Sequence, residues 1–256
     1  MTAKSSPRVA LFATCLTDLF RPGVGFAAVR LLEQAGYSVD VPAQGCCGQV
    51  NFNGGDRDGA REMAERQIRS LADFDYVVAP SGSCAAMIRC HYPELFESGS
   101  PERAAAEAVA GKTWELTSFL HDVARLNAIS ARFEGRAVYH DACSGLRELG
   151  VRSQPRALLA RVAGLELVEA AQPEVCCGFG GLFCVKYPDV SADIVGRKAR
   201  DIIESGADWV IAGDLGCLMH IAGRLHRDGS TIRAVHVAEV LAGEPDDDQS
   251  GAAHAD

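Results

Sequence analysis

The chain lacks any long apolar stretch. Apolar residues make up 48% of its 256 positions, but they come in short runs such as Val9 to Phe12 and Tyr76 to Ala79. None approaches the roughly 20 residues that cross a bilayer as a helix, so no membrane span is expected. A basic stripe is missing too. With a net charge of −9 and no clustered Lys and Arg, a nucleic-acid partner is not expected. The opening MTAKSSP has one lysine and no apolar segment before Val9, unlike a secretory signal, and the expectation is a cytoplasmic protein. Nor is there any Cys-x-x-Cys pair, the short knuckle that structural zinc sites usually use.

Cysteine itself is abundant. Ten of them in a chain expected where thiols stay reduced point to metal or redox chemistry rather than to disulfides. Cys15, Cys46, Cys47 and Cys84 recur as Cys143, Cys176, Cys177 and Cys217, at a spacing of 128 to 133 residues. An internal duplication explains the pattern, and the flanking sequence agrees: VALFA leads to Cys15 as AVYH leads to Cys143.

Each half reads as alternating strands and helices. In the first, Val9 to Ala13 and the YSVDV and YVVAP segments are strands. Ala28, Leu31, Leu32 and Ala35 mark one helix, and Arg57 to Leu71 a second with Ala60, Met63, Ala64, Ile68 and Leu71 on one stripe. The second half repeats this, with strands at Ala137 to His140, Leu165 to Glu169 and Trp209 to Ala212, and helices at Pro155 to Ala163 and Val190 to Glu204. WELTSFL at Trp114 and VHVAEVL at Val235 are expected to close each unit as helices, and Ser98 to Lys112 reads as a polar, alanine-rich connector. The fold class expected is therefore α/β, as two pseudo-symmetric three-layer units with mostly parallel sheets, residues 8–125 and 133–243, followed by a disordered acidic tail over 244–256. Every paired cysteine then lies just past the carboxyl end of a strand, where open α/β sheets place their ligands. The units are expected to be related by a pseudo-two-fold axis, their cysteine edges facing a common cleft.

Four thiolates at one sheet edge suit an iron-sulfur cluster. In Cys46-Cys47-Gly48 and Cys176-Cys177-Gly178, adjacent side chains on a tight turn can reach two irons, while the glycine lets backbone come close. A single cysteine is usually a small buried hydrophobe, but eight in a duplicated pattern are not. Zinc in one unit is the rival, because thiolate sites accept either metal. Cys90 and Cys184 have no counterparts in the opposite half and are expected to be ordinary thiols. Gly23-Val24-Gly25, with Asp40 downstream, imitates a dinucleotide fingerprint but sits well past the strand end, which argues against nucleotide binding. His140 and His220 flank the second motif, and Lys186 and Lys198 read as solvated helix-surface charges.

The doubled pattern of a cysteine, then CCG, then another cysteine resembles the cysteine-rich domain of the heterodisulfide reductase B subunit and related iron-sulfur oxidoreductases. SGSCAAM at Ser81, HDACSGLRELG at His140, CCGFGG at Cys176 and GCLMHIAG at Gly216 are similar to the lactate utilisation protein A family, over nearly all of Val9 to Gly243. The resemblance implies an iron-sulfur oxidoreductase component, with 4Fe-4S clusters on the eight cysteines, that passes electrons in the oxidation of L-lactate to pyruvate. Its implied partners are other subunits of that system, including a ferredoxin-like iron-sulfur protein. The heterodisulfide reductase relatives end each motif in Cys-x-x-Cys, whereas here the last position is Met87 or His220. That leaves four thiolates per motif, enough for one four-iron cluster. A zinc-stabilised scaffold and a thiol or disulfide reductase subunit remain as alternatives.

Overall fold

The computed structural model describes residues 6–243; the expected acidic tail lies outside them. The first half runs β1 (Arg8–Leu11), α1 (Cys15–Phe20), α2 (Pro22–Gln34), β2 (Ser38–Asp40), α3 (Gln49–Gly54), α4 (Arg57–Leu71), β3 (Tyr76–Ala79), α5 (Gly82–Ala86), α6 (Pro101–Gly111), β4 (Thr113–Glu115) and α7 (Leu116–Ser118). The second runs β5 (Arg132–His140), α8 (Cys143–Leu149), α9 (Ser153–Leu159), β6 (Ala163–Val168), α10 (Phe183–Lys186), α11 (Pro188–Glu204), β7 (Trp209–Ala212), α12 (Leu215–Arg227), β8 (Arg233–His236) and α13 (Val237–Ala242). Two four-stranded sheets result, in orders β2-β1-β3-β4 and β6-β5-β7-β8, with every pairing parallel. The fold is α/β, built as two like units.

Burial explains the patterning. The central strands are buried along almost their whole length, as expected where helices cover both faces of a parallel sheet. Helix α4 starts at Asp56, whose carboxylate accepts from Gly59 N at 2.9 Å, and turns Ala60, Ala64, Ile68 and Leu71 to the core. Gly23 and Gly25 lie inside α2, so the fingerprint-like segment is ordinary helix and forms no phosphate loop.

Two expectations are corrected. The WELTSFL and VHVAEVL segments are each a short strand followed by a short helix, so each sheet has a fourth strand that pairs beside β3 or β7. Three or four residues are too few for an alternation to register. The segment Ser98 to Lys112 is not a connector. It forms α6, capped by Ser100, and buries Ala106, Val109 and Ala110 against the first unit.

The halves meet reciprocally. Helix α5 packs on α8 as its counterpart α12 packs on α1, and α13 packs on α2 as α7 packs on α9. Matching elements making matching contacts is the signature of a two-fold relation. At Gly82 a Cβ would come within 2.9 Å of Gly145 Cα, so the backbones of the two units touch there.

Candidate metal centre

Each quartet is assembled from three loops at the carboxyl edge of its sheet. Cys15 opens α1 directly after β1, Cys46 and Cys47 lie between β2 and α3, and Cys84 lies in α5 beyond β3. Cys143, Cys176, Cys177 and Cys217 occupy the same places around β5, β6 and β7. All eight are free thiols, with Cys47, Cys84, Cys177 and Cys217 buried and the other four partly so.

The sulfurs interact in the same order in both units. Cys46 is held far below the ordinary thiol range by hydrogen bonds from Cys15 and Cys47, and Cys176 likewise by Cys143 and Cys177. The donors are pushed upward in return: Cys15 and Cys143 by their bonds to Cys46 and Cys176, then by burial. Cys177 Sγ stands 3.0 Å from Cys217 Sγ. Four sulfurs thus converge in each half, the donor set of a soft-metal or iron-sulfur site.

The glycine of each CCG turn packs closely against a helix of its own unit, α4 or α11. Gly48 and Gly178 have φ of 85° and 79°, a region that favours glycine, and a Cβ on Gly178 would meet Ser191 O at 2.8 Å. Their amides donate to the preceding sulfurs, Gly48 N to Cys46 Sγ at 3.4 Å and Gly178 N to Cys176 Sγ at 3.3 Å. Thr14, immediately before Cys15, has φ of 70°, a strained conformation for a β-branched residue. Tyr92 Oη donates to Cys47 O at 3.0 Å, and His220 Nδ1 lies 3.0 Å from Cys177 O. A carbonyl only accepts, so His220 carries its proton on Nδ1 and anchors the second CCG turn as Tyr92 anchors the first.

A cavity of about 210 Å³ is lined by Cys15, Cys46, Cys47 and Cys84 and closed from the second unit by Phe179, Leu182 and Asp214. The first quartet therefore faces the other unit. Cys176 opens instead on a broader groove with Arg147, Arg152 and Arg197. The sulfur sets and the sulfur-lined cavity fit a thiolate-bound metal cluster.

Some residues lie elsewhere than the sequence suggested. Lys198 is not solvated: it is 1% exposed, and its Nζ donates to Gln172 O at 2.8 Å, Pro173 O at 3.2 Å and Asp201 at 3.3 Å, bracing the loop ahead of Cys176. Lys186 is exposed. Met87 is fully buried beside the first quartet in a π-helical turn. Cys184 donates to Gly181 O at 3.2 Å, and Cys90 is half-buried with its thiol pushed up by burial. Asp214 escaped notice. Buried at 4% exposure, its carboxylate accepts from Ser81 Oγ and Ser83 N, both at 3.0 Å, tying the helix that bears Cys84 to the one that bears Cys217. Its position three residues before Cys217, like Ser81 before Cys84, is a readable helix-capping signal.

Comparison with known proteins places this arrangement. The cysteine-rich domain family with the CCG motif matches twice, over residues 9–89 and 137–222. Lactate utilization protein A of Geobacillus kaustophilus strain HTA426 is 49% identical over 236 residues, covering 91% of this chain and 98% of that protein. The chain belongs to the lactate utilization protein A family. The family protein of Geobacillus sp. strain WCH70 is 47% identical over 235 residues, and that of Exiguobacterium sp. strain ATCC BAA-1283 / AT1b is 46% identical over 238. Among solved structures, a hypothetical protein from Helicobacter pylori shares the fold, with a TM-score of 0.63 at 12% identity, over 93% of this chain and 50% of that one. Membership of this family supports a role in lactate utilisation within a multi-protein system. Among the described residues no helix is long and apolar enough to cross a membrane.

Proposed function

We propose that the chain is an iron-sulfur oxidoreductase component that passes electrons during the oxidation of L-lactate to pyruvate. Cys15, Cys46, Cys47 and Cys84 would hold one 4Fe-4S cluster, and Cys143, Cys176, Cys177 and Cys217 a second. When bound, such a cluster supplies reversible one-electron chemistry at a potential set by charge and hydrogen bonding around its sulfurs. The observation that carries the reading is the convergence of four free cysteines from three loops at the carboxyl edge of each sheet, repeated in both units.

The protein's own residues shape the site. Gly48 and Gly178 amides stabilise negative charge on Cys46 and Cys176. Tyr92 and His220 fix the carbonyls of Cys47 and Cys177, which sets where those side chains point. Phe179 and Leu182 cover the first quartet and restrict water there. Oxidation of lactate to pyruvate releases two electrons and two protons, so a partner must take up the hydride equivalent and hand electrons on singly. A flavin- or nicotinamide-bearing subunit and a ferredoxin-like iron-sulfur protein suit those roles. Deletion of the gene should abolish growth on L-lactate while leaving growth on glucose and glycolate intact. Unimpaired growth on lactate would remove the substrate assignment.

A further inference from the structure

The two quartets match in sulfur positions but not in what stands behind them. Three residues before Cys15 is Phe12; three before Cys143 is His140. Phe12 is fully buried and packs in the apolar cluster that contains Cys47 and Cys84. His140, at the end of β5, is 2% exposed, and a ligand-capable nitrogen of its ring lies within 4.8 Å of both Cys177 Sγ and Cys217 Sγ. Both of its ring nitrogens are buried without a hydrogen-bond partner.

A buried polar ring without a partner costs free energy, so an unpaired imidazole among thiols signals a partner that arrives with the bound group. An imidazole keeps at least one N–H in either protonation state, and in its neutral form the other nitrogen accepts. Acting as a metal ligand through the lone pair would leave the N–H orphaned, whereas donating the N–H leaves only an acceptor unpaired. Buried donors are the rarer orphans, which favours donation.

We propose that His140 donates a ring N–H to the sulfurs of the second centre, at Cys177 and Cys217, and gives that centre a higher reduction potential than the first, where Phe12 stands in its place. The inference rests on the iron-sulfur reading above. Reduction adds negative charge to a thiolate-bound cluster, and a hydrogen bond to its sulfurs favours the reduced form. The two centres then form a directed pair, with electrons settling preferentially on the second.

Redox titration of the anaerobically purified holoprotein, followed by electron paramagnetic resonance, tests this. His140→Phe should keep its iron and lower one of two midpoints by at least tenfold in the reduction equilibrium, about 59 mV for one electron. His140→Gln, which keeps an N–H donor, should stay near the wild-type value. In the unmutated protein, isotopically labelled histidine should give a weak nitrogen coupling to one centre. Unchanged midpoints in His140→Phe with full iron overturn the inference, as does loss of iron from that variant or a strong coupling typical of a ligand. Iron absent from the unmutated protein would instead refute the cluster reading on which it rests.

Discussion

Cys47→Ser should leave the protein with about half of its iron and visible absorption, and Cys177→Ser should remove the other half. Each is the buried middle member of a sulfur chain, between Cys46 and Cys84 or between Cys176 and Cys217. Serine offers a weak alkoxide in place of a thiolate, and packing cannot replace a missing iron ligand. Cys90→Ser and Cys184→Ser should keep wild-type iron. Neither has a counterpart in the other half, and the Cys184 thiol already donates to Gly181 O. Iron and sulfide assays on anaerobically prepared variants decide the matter. Loss from Cys184→Ser as complete as from Cys177→Ser would break the four-ligand assignment of the second unit, and complete loss from Cys47→Ser would mean the two centres are not independent.

Asp214→Ala should lower the stability of the holoprotein by about 2–4 kcal/mol. The carboxylate accepts from Ser81 Oγ and Ser83 N across the unit boundary and caps α12 through Cys217 N at 3.5 Å. Its removal leaves buried donors without acceptors and takes the cap from the helix that carries a cluster cysteine. Ser81→Ala should cost less, about 1 kcal/mol, because Asp214 still binds Ser83 N. Urea unfolding under anaerobic conditions gives both values from the shift in midpoint. A loss for Asp214→Ala under about 0.5 kcal/mol, the range of ordinary surface changes, would show that this contact does not join the units.

The duplication, the α/β class and the strand-edge position of all eight paired cysteines were legible because they rest on periodicity and repetition, which survive in one dimension. Helix α4 has the bounds its stripe of Ala60, Ala64, Ile68 and Leu71 indicated. The fourth strands were illegible, since a strand as short as Thr113–Glu115 is defined by pairing with β3 and carries too few residues for a pattern. Lys198 misled because a lysine beside an arginine on a helix is normally solvated; the carbonyls of Gln172 and Pro173 that receive it come from a loop distant in sequence. The contrast between Phe12 and His140 was present in the aligned halves. Its meaning needed the structure, which alone shows the imidazole buried against Cys177 and Cys217 with no partner.

What the two sulfur quartets hold decides whether this protein can move electrons. Anaerobic purification followed by iron, acid-labile sulfide and zinc analysis tests it most directly. About eight irons and about eight sulfides per chain, with zinc absent, is the predicted result. Zinc without iron, persisting after anaerobic reconstitution with iron and sulfide, would contradict it.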